Sequence, residues 1–456
     1  MQILAQLALI ALCLLMFRVE RKYKLAILLL SAICFNCVTI PFIPFGNARY
    51  ILCICFILSE LKHLKWHIGK IKKTILNSLI LSVCVATIIL AINSPHYDNL
   101  MQYTRLVLLE LITKYFVICY AFLSIQKNQD LRPCLQVSYY GLLILSAFAI
   151  LNYITKHAIF IDEMLKGMEL TDVMADAGSK FTFSERFRVQ AMFFNPFDYG
   201  YICILLLLFN WYGYMKSFIT KKRFSIIIGC CIFGIITCGC RTIILCCLVG
   251  VFVYMLFAFN LRKKTKYFVI CSLCGIILFS SIPLLQEKFD EILSIFDKNS
   301  SVSGSSIEMR ILQYTAVLYH IRNHLLFGRG LDFFNIDMGW GEGKQFLVDK
   351  DLFGLEGVIM SYLLERGFIG VCFYLFFYGY LFLFFIKQKN KDRMVSALCV
   401  ASIVTYFSFA NMTGELSSSF PTLLILGYGV RLLYNKINGQ SIENSSFSFK
   451  SNDPKD

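Results

Sequence analysis

"KKRFSIIIGCCIFGIITCGCRTIILCCLVGVFVYMLFAFNLRKK", residues 221–264, holds two apolar runs separated by a short turn that carries one arginine, Arg241. Basic clusters bracket the pair: Lys221, Lys222 and Arg223 before it, Arg262, Lys263 and Lys264 after it. A helix crossing a bilayer needs about 20 predominantly apolar residues, and loops rich in Lys and Arg stay on the cytoplasmic side. The stretch therefore predicts a helical hairpin that enters from the cytoplasm, turns near Arg241 at the outer surface, and returns.

The same punctuation recurs along the chain. Arg18, Arg21, Lys22 and Lys24 form one basic cluster, Lys62, Lys65, Lys70, Lys72 and Lys73 another, and Lys387, Lys389, Lys391 and Arg393 a third. Every second loop is basic, so the +15 net charge marks cytoplasmic loops and gives no reason to expect nucleic acid. Composition agrees: 57% of the 456 residues are hydrophobic and only 16% charged, against about a quarter charged in soluble domains.

The fold class predicted is an all-α polytopic membrane protein of about 12–13 transmembrane helices. Apolar segments fall near 2–17, 25–40, 45–61, 74–92, 104–124, 135–154, 196–214, 224–240, 243–259, 267–285, 367–386, 394–412 and 420–434. Thirteen crossings put the N-terminus outside and the C-terminus inside. The first run lacks the basic start and small-residue cleavage site of a signal peptide, so it reads as a span. Residues 1–434 read as one integrated transmembrane domain, and 435–456, rich in Ser, Asn and Lys, as a disordered cytoplasmic tail. Two outward loops are long, about 155–195 and 286–366, and long ordered loops usually carry function. Within the second, "SIEMRILQYTAVLYHIRNH" (306–324) has the spacing of an amphipathic helix.

Several chemistries find little support. Most of the 19 cysteines sit inside apolar runs, where Cys packs as a small apolar residue, and Cys238 and Cys240 have too few neighbours for a zinc site. The outer loops contain no cysteine, hence no disulfide framework. "DKD" at 349–351 is a short charged match, better read as solvated loop than as a metal site. P-loop, Rossmann and His-Glu-X-X-His patterns are absent. The expectation is a protein with no metal and no cofactor.

Arginines remain. A charge at membrane depth costs about 2.5–3.5 kcal/mol on insertion scales, so Arg241 needs a partner, a water-filled cavity, or an interfacial position to which it snorkels. "RFRVQAMFFNPFDYG" (186–200) brings Arg186 and Arg188 to the outer surface just before an Asn195-Pro196 break that starts a helix. Two segments thus deliver guanidinium groups to one face of the membrane. Guanidinium is always charged and grips phosphate oxygens at two points, which suits a lipid-linked diphosphate.

At these residues the chain resembles the O-antigen ligase and O-antigen polymerase superfamily of bacterial polysaccharide assembly. Arg188, Phe193, Asn195 and Pro196 match an outer-loop pattern of Arg, Gly, aromatic and Asn-Pro-Asn, with Ala191 for the Gly and Phe197 for the last Asn. "GCRTIIL" (239–245) is similar to a Ser-Arg-Thr motif, with Cys240 for Ser. "HLLFGRGLDFF" (324–334) is similar to His-Pro-Leu-Leu-Gly-X-Gly, and "ERGFIG" (365–370) to Glu-X-Gly-X-Ile-Gly. Family ligases carry a His-Asn pair nine residues before the last motif's glutamate; Glu356 and Gly357 stand there here. Unless His320 or His324 reaches in, this departure shifts the expectation from ligation to polymerisation.

The resemblance implies a glycosyltransferase on the outer face of the bacterial inner membrane. It would join oligosaccharide repeat units carried on undecaprenyl diphosphate, facing the periplasm and working beside a flippase and a chain-length regulator. Arg188 and Arg241 would clamp the leaving diphosphate, and Glu356 would orient or deprotonate the acceptor hydroxyl, or else pair with Arg310 or Arg329. Arg310, His324, Asn195 and Arg186 are the candidate substrate-binding residues. Alternatives are an O-antigen ligase and, less well supported, a lipid-linked oligosaccharide flippase; a small-solute transporter should show helices broken at matching places in two halves.

Overall fold

The computed structural model describes residues 2–39, 47–61, 75–92, 100–125, 127–165, 188–259, 307–331, 333, 352, 355–415 and 417–437. These residues are mostly helical, with no strand among them beyond an isolated bridge between Thr39 and Asn47. The helices are α1 (Gln2–Arg18), α2 (Arg21–Cys34), α3 (Ala48–Glu60), α4 (Ile75–Ile92), α5 (Leu100–Glu110), α6 (Val117–Ser124), α7 (Arg132–Thr155) and α8 (Ile159–Leu165). There follow α9 (Pro196–Met215), α10 (Lys221–Thr237), α11 (Arg241–Ala258), α12 (Ile307–Ile321), α13 (Val358–Lys387), α14 (Arg393–Thr413) and α15 (Ser419–Ile437).

Twelve of the thirteen apolar segments fall on these helices; the segment 267–285 lies outside the described residues, as does the tail from 438. Among the described residues, four helices are long and apolar enough to cross a membrane: Asn128–Thr155, Arg241–Ala258, Val358–Asn390 and Arg393–Thr413. Leu106–Tyr115 and Val117–Ser124, bent by 41°, make a fifth if they form one span. α2 and α3, with 14 and 13 residues, rise only about 20 Å. α9 has 20 residues but includes buried Asp198 and Asn210, each hydrogen-bonded, to Ser417 N and Ser138 Oγ.

Local chemistry sets the helix ends. Asn195 Oδ1 accepts from Phe197 N at 2.9 Å, with Pro196 in the first turn of α9; Thr220 caps α10. Gly239, at φ +65°, turns α10 into α11, a conformation that costs other residues about 1–2 kcal/mol. Between α5 and α6 the five residues Leu111–Tyr115 form a π turn, an inserted residue that re-aims the helix.

Most buried apolar side chains, from Leu9 to Leu433, form one contiguous core, and a small second cluster joins Val317 and Ile321 of α12 to Phe333, Leu352 and Leu364. α14 is its centre and packs against α9, α11, α13 and α15. Ser396, Ala397, Ala401, Ser402 and Thr405 keep its surface small, so that Gly250 of α11 comes directly against Thr405. Large apolar side chains on α1, α7, α11 and α13, such as Leu4, Ile154, Leu248 and Phe376, stay more than half exposed, as a lipid-facing surface requires.

The chain's polarity is consistent along the bundle. At one end Asp392 caps α14 through Met394 N and Val395 N and pairs with Lys216, after α9, at 3.0 Å, and with Lys436, in the last turn of α15, at 2.7 Å. Arg393 there donates to the Phe257 carbonyl at the end of α11. Asn195, Arg241 and the C-terminus of α14 lie at the other end.

Candidate active site

The loop 188–195 folds back onto the α10–α11 turn. Val189 N donates to Thr237 O at 3.1 Å, and a Cβ added at Gly239 would meet the Arg188 side-chain stem at 3.2 Å. Arg241 opens α11 two residues later, so Arg188 and Arg241 stand on adjoining backbones. Ala191 adopts φ +51° and accepts from Asn152 Nδ2, which explains why a glycine suits this place in the superfamily pattern.

Helix pairing fixes the level of Arg241. α11 and α14 run antiparallel with Gly250 against Thr405, so Arg241, nine residues before Gly250, lies level with Gly414, nine after Thr405. A second pair of residues reaches the same end of α14. Arg310 Nη2, on α12, donates to Glu356 Oε2 at 2.6 Å and to Met412 O at 3.1 Å, and Glu356 N donates to Gln313 Oε1 at 3.4 Å. Arg188, Arg241, Arg310 and Glu356 thus come from four separate segments to one end of the bundle.

α13 doubles back to hold Glu356 there. Gly367, at φ +63°, breaks the helix, and the rings of Tyr362 and Tyr374 meet at 45° with centroids 4.5 Å apart. A straight helix would separate them by about 18 Å. Loop 324–330 fills the outside of the bend: Phe368 N donates to Leu325 O, Ile369 N to Leu326 O, and Arg329 N to Leu364 O. The expected outer loop therefore ends as helix, since 358–366 belongs to α13.

Beneath this bend lies a buried chain of charges. Arg366 Nη2 meets Glu110 Oε1 at 2.5 Å and stacks over Tyr362; Lys114 contacts Glu110 at 3.3 Å and Glu415 at 2.5 Å; Tyr406 donates to Glu415 at 2.7 Å and accepts from Tyr374 at 3.0 Å. Lys114 sits in the π turn, which aims it at Glu415. A signal for these residues existed in the sequence: Glu110 and Lys114, four apart within an apolar span, are a functional or structural pair by default. Asp198, hydrogen-bonded to Ser417 N, ties α9 to the same loop.

The other candidates are placed as follows. Asn195 spends its side-chain oxygen on the α9 cap. His324 lies past the far end of α12 from Arg310, beside the Gly367 bend, and not at Glu356. Arg186, Asp349 and Asp351 lie outside the described residues. Among the described residues, no group of three His, Cys, Asp or Glu could hold a metal ion.

Residues 226–375 match the O-antigen ligase family. The match supports the O-antigen ligase and polymerase superfamily, whose members are glycosyltransferase-like and act on lipid-linked glycans in membranes. It takes in Arg241, Arg310, His324, Glu356 and the Gly367 bend; Arg188 and Asn195 precede it and join the site through the fold. No curated protein matches the chain.

Proposed function

We propose that this protein polymerises repeat units carried on undecaprenyl diphosphate, on the periplasmic face of the bacterial inner membrane, within one integrated transmembrane unit, residues 1–434. The observation that carries the reading is the meeting of the Arg188 loop with the Arg241 turn at the end of α14 where Arg310 holds Glu356.

In this mechanism the growing glycan is the donor. The acceptor hydroxyl attacks its anomeric carbon, the bond from that carbon to phosphate oxygen breaks, and the electron pair leaves with the lipid diphosphate. Arg188 and Arg241 stabilise the charge gained by the leaving group; donors of this kind are worth about 10²–10³ in rate elsewhere. Arg310 occupies Oε2 of Glu356 and orients the carboxylate, which takes the hydroxyl proton. A flippase would supply the units and a chain-length regulator would limit the product. The chemistry needs no metal, so transfer by purified protein is expected to survive EDTA.

Glu356 and Gly357, standing where ligases carry His and Asn, favour polymerisation; the family matched, O-antigen ligase, favours ligation. Electrophoresis of surface glycan from a deletion strain separates them. A single-repeat rung supports the polymerase; full-length but unattached polymer would instead establish a ligase.

A further inference from the structure

The end of the bundle opposite Arg241 holds a cleft of about 730 Å³, within the range of small-molecule sites. α7 and the α9–α10 connection form its walls. Its lining includes two arginines, Arg132 and Arg223, and no carboxylate. The nearest acid in sequence, Asp130, turns back to accept from Lys127 N at 2.8 Å.

Both guanidinium groups lie over aromatic rings of the same cleft, Arg132 over Phe218 at 5.9 Å and Arg223 over Tyr139 at 5.6 Å. A ring beneath the plane orients the guanidinium and leaves its N–H edge for an anion. Arg132 lies in the first turn of α7, directly after a 3-10 turn at Asn128–Leu131, and Arg223 in the first turn of α10; both helices run away from this end of the bundle, and Thr220 adds a hydroxyl to the lining. Next to cleft-lining Tyr139 and Ile227, α7 and α10 expose Tyr140 and Ile226, apolar surface that acyl chains can cover.

We propose that this cleft binds the phosphate of an anionic membrane lipid, gripped by Arg132 and Arg223, with the acyl chains against α7 and α10. The site is separate from the candidate active site and stands whether or not the polymerase reading holds.

Purified full-length protein in detergent, given equal phosphatidylglycerol and phosphatidylcholine, is examined by native mass spectrometry. Wild type is expected to retain phosphatidylglycerol by at least about tenfold, as two charge-assisted contacts would give. Arg132→Gln with Arg223→Gln should abolish the preference, while Lys222→Gln, exposed and outside the cleft, should keep it. Equal retention of the two lipids by wild type overturns the proposal, even if the double variant fails to fold. So does a preference that survives in a folded double variant. Displacement of the lipid by millimolar inorganic phosphate would assign the cleft to a soluble phosphate and overturn the lipid reading.

Discussion

Arg310 and Glu356, 46 residues apart in sequence, form a 2.6 Å ion pair against the Met412 carbonyl at the end of α14. Both side chains remain partly exposed, 31% and 25%, so the pair itself contributes only about 0–1 kcal/mol to stability. If Glu356 handles the acceptor hydroxyl, Glu356→Gln should lower the transfer rate at least about a hundredfold, the low end for general base catalysis, while the melting temperature in detergent hardly moves. A variant that loses stability and activity in parallel would return Glu356 to a structural role.

Arg188 and Arg241, on adjoining backbones, are expected to act on one leaving group. Each Arg→Lys change keeps a charge and an apolar stem but loses the two-point contact, so polymerisation on lipid-linked substrate should fall well below wild type at matched expression. The double substitution should cost less than the sum of the single losses in activation free energy. Full activity of Arg241→Lys would leave interfacial snorkelling as its role.

The bend at Gly367 and the charges beneath it should control stability before chemistry. Glu110→Gln leaves Arg366 and Lys114 buried with one anion fewer, and breaking a buried pair costs about 3–5 kcal/mol. Gly367→Ala places a methyl group against the Leu326 backbone at a left-handed φ, and should be at least as damaging. Thermal unfolding in detergent tests both; an unchanged Gly367→Ala protein would show that the bend is not needed.

At the opposite end, burial alone would raise the Asp392 carboxyl, but Lys216 and Lys436 hold it below the ordinary carboxylate value of about 3.9. A depressed folded value means that its stabilisation is complete above that ordinary value and is lost as pH falls through it toward the folded one. Between pH 7 and 5 the stability gap between wild type and Asp392→Asn should therefore stay constant, and it should narrow below about pH 4. A gap that shrinks near neutral pH would contradict this assignment.

Much of this was readable in the residues. Apolar runs interrupted by basic clusters specify helices and their alternation because transfer of a segment into hydrocarbon is a local, additive property of its side chains. Arg188, Asn195, Arg241 and Glu356 stood out for a different reason, a resemblance to short motifs; of these, Asn195 serves as the cap of α9.

Other features depended on contacts that no local pattern contains. Glu110 meets Arg366 across 256 positions and Lys114 meets Glu415 across 301, so neither pair has a sequence spacing to recognise. The doubling back of α13 depends on Gly367, which in sequence is one more glycine in an apolar run, and the span at 104–124 conceals its π turn. Chain composition determined that these segments are helical and membrane-embedded, since that depends on what each residue does against lipid. Which charges neutralise one another, and which arginines share the end of α14 with Glu356, was decided only by tertiary packing, because a buried charge is stabilised by the partner that folding brings to it.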